Sequence, residues 1–153
     1  MSTPTTAELR TWRRYFESAW ALLDVLDREL QARAGLPLRW YDVLVHLEEA
    51  EGGRRRMGDL ADQILASKSG LTRVIDNMER AGLVRRERPD GDRRVVEVVA
   101  TDAGFEALAA ARPFHRDDIR RYFSDHLSEA DFRAIETPLL KLRDAVRPER
   151  AGR

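Results

Sequence analysis

The chain has no cysteine in its 153 residues. A disulfide framework, a thiolate zinc site and a cysteine redox switch are therefore excluded. Long apolar runs are missing as well: nothing approaches the ~18 residues of a membrane-spanning helix. The polar start Met1–Thr6 also lacks the apolar stretch of a signal peptide. No membrane association and a bacterial-type cytoplasmic location are the simplest expectations. Histidine is scarce, and His46, His115 and His126 have no spacing typical of a metal site. Their acidic neighbours, Glu49 beside His46 and Asp118 beside His115, are of the kind common on solvated helix faces. There is no glycine-rich phosphate loop and no nucleophile elbow, so neither catalysis nor a cofactor or metal is expected. Net charge is also missing, with 27 basic residues against 27 acidic. The balance is uneven along the chain, however. Arg54 to Arg94 carries 11 Lys/Arg against 7 Asp/Glu. Local basic excess of this kind suits an anionic partner, although most charged patches are simply solvated faces.

What is present is enough apolar material, 42% of residues, for one well-cored domain. Leu9, Trp12, Phe16, Ala19, Leu23, Leu26 and Leu30 recur at helical steps, predicting a helix from Glu8 to about Arg33 that Gly35 and Pro37 end. A second helix is expected from about Arg39 to Ala50, terminated by Gly52-Gly53 and followed by the Arg54-Arg55-Arg56 run. A short helix over about Gly58 to Ile64 precedes another that Ser67 caps and Gly82 stops. Leu83–Arg88 and Arg94–Val99 read as two strands joined by Pro89-Asp90-Gly91-Asp92, a hairpin. Thr101 caps a long helix in which Pro113 should make a kink or local break. Ser128, with Asp131 three residues on, opens a last helix that Pro138 should interrupt. The charged tail from Pro148 is expected to fray.

The 67–81 helix divides cleanly. Leu71, Val74, Ile75 and Met78 fall on one face; Ser69, Thr72, Arg73, Asp76 and Arg80 fall on the other. Alone this is an ordinary amphipathic surface helix. Its neighbours add to it, because a short helix precedes it and an arginine-loaded hairpin follows. Arg85, Arg86, Arg88, Arg93 and Arg94 cluster around the Asp90-Gly91-Asp92 tip, and a structural hairpin rarely concentrates so much repelling charge without an anionic partner. Asp92, two residues before Arg94, is placed to orient its guanidinium. A helix sized for a major groove and an arginine-tipped loop sized for a minor groove together suit duplex DNA.

Leu60-Ala61, Ser69-Gly70-Leu71-Thr72-Arg73, Asp76 to Val84, Asp92-Arg93-Arg94 and Thr101-Asp102-Ala103-Gly104 together resemble the MarR family of winged-helix transcription regulators. The similarity runs over nearly the whole chain, with Ala100 standing where the family usually has Leu. The fold class expected is mainly α with a small β-hairpin wing, a winged helix-turn-helix plus a helical dimerisation region. The winged-helix lobe would span 38–100, and helices over 7–36 and 101–147 would dimerise, all within one domain over 1–153. The resemblance implies a homodimeric, sequence-specific repressor that reads a pseudo-palindromic site in double-stranded DNA. It places Ser69, Thr72 and Arg73 at the major groove and Arg94 in the minor groove beside Asp92, with Lys68 and Arg93 on nearby phosphates.

Leu9, Trp12 and Phe16, with Phe132, Ile135, Leu139 and Leu142, could form the two-fold interface, and could equally form intramolecular core. Many MarR relatives release DNA on binding a small aromatic or phenolic effector. Arg14, Trp20, Trp40, Tyr41, His46 and His115 are the residue types such a pocket would use, though tryptophans and lone histidines are more often plain core. A competing reading is a winged-helix protein-interaction module without DNA binding; the arginine-studded face argues against it, because protein interfaces are depleted of charge at their centres. Arg94→Ala is expected to weaken DNA binding by about 1–3 kcal/mol while leaving the oligomeric state unchanged. Unchanged affinity in an anisotropy titration would remove the wing from the mechanism.

Overall fold

The computed structural model describes residues 3–64, 68–89 and 95–146, with the backbone alone at 68 and 69. Several expectations lie outside the described residues: Ser67 as a cap, the Asp90-Gly91-Asp92 turn, Asp92, Arg93 and Arg94 at the wing tip, and the tail from Pro148. Backbone proximity divides the chain into one unit that ends at Asp117 and another that begins at Asp118.

In the first unit, α1 spans Thr6–Ala34. It begins slightly before the expected Glu8 because Thr5 and Glu8 form a reciprocal capping box: the Glu8 N–H donates to Thr5 Oγ1 at 3.3 Å and the Thr5 N–H to Glu8 Oε2 at 2.6 Å. Gly35, at φ 64°, ends the helix in a left-handed turn. Pro37 offers no side-chain cap to α2 (Leu38–Glu48), and Asp27 of α1 does so instead, accepting the Leu38 N–H at 2.8 Å. A 3-10 turn over Glu51–Gly53 leads into β1 (Arg54–Arg56), a strand beyond the two expected from sequence. The helices α3 (Met57–Gln63) and α4 (Lys68–Arg80) follow, then β2 (Val84–Glu87) and β3 (Glu97–Ala100). The sheet is antiparallel in the order β1-β3-β2, with Arg54 opposite Val99 and Arg86 opposite Val98. The arginine run pairs as a strand because the central β3 has a second edge to satisfy, a requirement invisible in local sequence.

Leu44 and Leu47 of α2, Leu60 of α3, Leu71, Ile75 and Met78 of α4, Val84 and Val98 of the sheet, and Leu108 of α5 (Asp102–Tyr122) share one buried core. Ala100 is buried in the same cluster opposite Val84. The junction between α4, β2 and α5 is closed by Thr101. Its hydroxyl donates to Gly82 O at 2.6 Å and accepts the Gly104 N–H at 3.1 Å, while its own N–H donates to Leu83 O at 3.1 Å. One residue therefore caps α5 and ties it to the turn that ends α4.

Neither proline breaks its helix. The α5 assignment runs through Pro113, and α6 (Glu129–Val146) runs through Pro138. Each helix keeps at least two turns on both sides of the proline, so intact neighbouring turns carry it past the lost donor. In the second unit, a 3-10 turn over Ser124–His126 precedes α6. Ser128 and Asp131 form the expected reciprocal cap: the Ser128 N–H donates to Asp131 Oδ2 at 2.9 Å and the Asp131 N–H to Ser128 Oγ at 3.2 Å. These bonds hold the Asp131 carboxyl below its ordinary pKa. Phe123 and Phe132 meet edge-on with centroids 5.7 Å apart.

Gly104 fixes how closely the start of α5 approaches the hairpin. A Cβ there would lie 2.2 Å from Leu83 O, a backbone atom that cannot swing aside. Alanine would add about 1 kcal/mol of helix propensity, but overpacking against fixed backbone costs about 3 kcal/mol, so the clash wins. Gly104→Ala is expected to lower the denaturation midpoint; an unchanged or raised midpoint would refute this close approach.

Candidate nucleic-acid interface

The two faces of α4 separate as its periodicity requires. Leu71, Ile75 and Met78 are buried, Val74 is half-buried, and Thr72, Arg73 and Arg80 are exposed. Burying one face leaves Thr72 and Arg73 projecting from the N-terminal half of the helix, where backbone N–H groups and the helix dipole favour an anion. Lys68 and Ser69 lie in the first turn of the same helix. The helix ends at Gly82, φ 76°, with the Leu83 N–H donating to Met78 O at 3.0 Å, and passes directly into β2.

The arginines near the hairpin do two different jobs. Arg86 turns back onto α4: Nη2 donates to Asp76 Oδ1 at 2.5 Å, Nη1 to Glu79 Oε2 at 2.6 Å, and its backbone N–H to Glu79 Oε1 at 2.9 Å. Desolvation pulls the Arg86 pKa down, yet the hydrogen bonds and charges of Asp76 and Glu79 raise it overall. Arg85 points the other way and pairs with Glu87 at 2.6 Å. Arg54 reaches Glu87 at 3.2 Å and Glu97 at 3.5 Å, so one guanidinium bridges carboxylates on two strands. Glu87 and Glu97 are register partners, and Arg54 and Arg85 offset their repulsion. The hydrogen bond from Arg85 is the main reason the Glu87 carboxyl titrates below its ordinary pKa, with the charges of Arg85 and Arg54 adding to it. Arg55 donates from Nε to His46 O at 2.8 Å.

Arg85, Arg86 and Arg54 are engaged within the protein, whereas Arg56, Arg73 and Arg88 stand exposed. Asp76, read from sequence as part of the outward polar face, anchors Arg86. The signal was the i, i+3 carboxylate pair Asp76 and Glu79 on an exposed helix strip next to a strand rich in arginine.

The candidate effector residues scatter. Trp20 and Trp40 meet at a cleft of about 390 Å³, together with Leu23 of α1 and Val74 of α4. Asp24, Asp27 and Arg39 supply its polar groups. Arg14 lies on α1 away from this lining, and Tyr41 is buried in ring contact with His115, centroids 4.5 Å apart. His46 sits between Asp42 at 3.7 Å and Glu49 at 3.9 Å on α2. Among the described residues no group of three or more His, Asp or Glu could hold a metal ion, and no helix is long and apolar enough to cross a membrane.

The sequence profile of the MarR family matches residues 34–95. AbsC, a MarR family transcriptional regulator from Streptomyces coelicolor, is 36% identical with a TM-score of 0.87, covering 97% of this chain and 100% of its own. Sco3205, a MarR family transcriptional regulator from the same organism solved in complex with DNA, is 33% identical with a TM-score of 0.90, covering 99% and 94%. The transcriptional repressor MprA of Escherichia coli (strain K12) is 26% identical over 103 residues, 67% of this chain. The match spans 58% of the length of MprA. With sequence identity above 30% over essentially whole chains, and with the α4 and sheet arrangement described, this protein belongs to the MarR family of winged-helix, DNA-binding transcription regulators, a family that is not enzymatic.

Proposed function

We propose that this protein is a homodimeric repressor that binds a pseudo-palindromic operator, each α4 entering a major groove and each wing tip an adjacent minor groove. The observation that carries the reading is the exposed Thr72–Arg73 pair on a helix whose other face is locked in the core. Ser69, Thr72 and Arg73 would face base edges, Lys68 and Arg93 phosphates, and Arg94, oriented by Asp92, the minor groove. That Sco3205 was solved with DNA and that MprA is a repressor support both parts.

Dimerisation is supported by apolar surface too large for an isolated chain. On α1, Leu9, Trp12, Tyr15, Phe16, Trp20 and Leu23 are all exposed; on α6, Leu139, Leu140, Leu142 and Val146 are exposed. Exposed apolar side chains in such number on a single helix face mark an interface. A two-fold dimer would cover it and set the spacing of two half-sites.

The tryptophan cleft is the place for an aromatic effector. Trp20 and Trp40 offer ring faces, and Val74 connects the cleft to α4, so an occupant would bear on the DNA-reading helix. Its polar groups are two carboxylates and one guanidinium, with Asp27 already accepting the Leu38 N–H, so Arg39 is the group there for a phenolate.

An anisotropy titration against duplexes from the flanks of its own gene, at two salt concentrations, tests the DNA reading. Tight binding that falls steeply with salt is expected. Arg73→Ala should cost about 1–3 kcal/mol and relax specificity at one base step. Equal, weak binding to operator and random duplexes would favour a protein-interaction role. For the effector, an aromatic-acid panel should contain a compound that raises the Tm of the native protein and not that of Trp40→Ala; a panel inert on both would count against the cleft.

A further inference from the structure

Among the described residues, Arg86 is the one hairpin arginine whose side chain lies along the DNA-reading helix. It is only 25% exposed, and it contacts three positions on a single strip of α4. Nη1 meets Glu79, Nη2 meets Asp76, and Nη2 also approaches the carbonyl oxygen of Thr72 at 3.4 Å. These positions are one turn apart, so the guanidinium runs along the helix toward the residue proposed to read bases. The backbone adds a fourth link. β2 is an edge strand, and its outward Arg86 N–H is satisfied by Glu79 Oε1 at 2.9 Å. Side chain and main chain thus fasten the base of the wing to α4 from the same residue.

The electrostatic consequence concerns the same surface. Asp76 and Glu79 are carboxylates on the helix that must approach phosphates, and uncompensated they would repel the duplex. Arg86 holds both. Its two terminal nitrogens are spent on carboxylates, which leaves it poorly placed to take a phosphate as well. Lysine could not reproduce the arrangement, since a single ammonium lacks the planar fork that reaches two carboxylates at once.

We infer that Arg86 is a positioning residue for DNA binding: it fixes the wing to α4 and neutralises Asp76 and Glu79, and it does not itself contact DNA. This rests on the reading of α4 and the wing as the DNA-binding surface. The recognition geometry is then set by a contact inside the protein, so α4 and the base of the wing approach the duplex as one piece.

The test is a double-mutant cycle with a salt titration. Arg86→Lys should weaken operator binding about tenfold in the native background, within the coupling range of residues that share one network. In the Asp76→Asn, Glu79→Gln background the same change should cost about twofold or less. The slope of log affinity against log salt should stay the same, because no phosphate contact is lost. A direct phosphate contact predicts the opposite: lysine largely preserves affinity, and Arg86→Ala lowers it equally in both backgrounds with the slope reduced by about one. Either that pattern or undiminished binding in Arg86→Lys and Arg86→Ala alike would overturn the proposal. Hydrogen exchange on the DNA-free protein separates this idea from the DNA reading. Faster exchange at the Arg86 amide in Arg86→Lys supports the strut. Unchanged exchange beside normal binding overturns the strut alone. Failure of the native chain to bind any duplex overturns the DNA reading and this role with it, even where the exchange change shows the strut itself to exist.

Discussion

Burial of Leu71, Ile75 and Met78 against α2, α3 and the sheet is the constraint from which the rest of the DNA-binding unit follows. A helix has one rotational setting that removes those three side chains from water. Once it is adopted, Thr72 and Arg73 have nowhere to point but outward. The same setting puts Asp76 and Glu79 beside β2, where Arg86 meets them. The start of α5 then closes the arrangement, because Thr101 bonds to the turn after α4 and Gly104 lets the two backbones touch. An apolar contact thereby orients a polar surface several bonds away.

Charge is divided between architecture and binding. A chain with equal numbers of acidic and basic residues can still present a basic surface if its carboxylates are consumed internally. Glu87, Glu97, Asp76 and Glu79 are consumed in this way by Arg54, Arg85 and Arg86. Exposed ion pairs of this type contribute little to stability individually. Their weight here lies in geometry: they hold a small sheet with like charges opposite one another and pin it to a helix. Arg56, Arg73 and Arg88 stay exposed and available to an anionic partner.

Much of this was legible in advance. The 3.6-residue period of α4, the Gly82 stop and the Thr101 cap each depend on interactions within a few residues. The Ser128–Asp131 cap is local for the same reason. What was not legible involves partners distant in sequence. The Arg54–Arg56 strand exists because β3 offers an unpaired edge some forty positions away. Asp27 caps α2 from another helix. Pro113 reads locally as a kink or break and Pro138 as an interruption, whereas both helices run on through them.

The amino-acid sequence by itself determined the order of the helices and of the two hairpin strands, the polar and apolar faces of α4 and the winged-helix class, since periodicity and capping are short-range. Only the tertiary structure decided which arginines stay exposed and which are engaged within the protein, because that depends on carboxylates brought alongside by folding. It also decided where the aromatic residues lie: Trp20 and Trp40 line one cleft, and the Tyr41 ring contacts that of His115. Residue type announces what a side chain can bond to; packing determines which of those partners it reaches first.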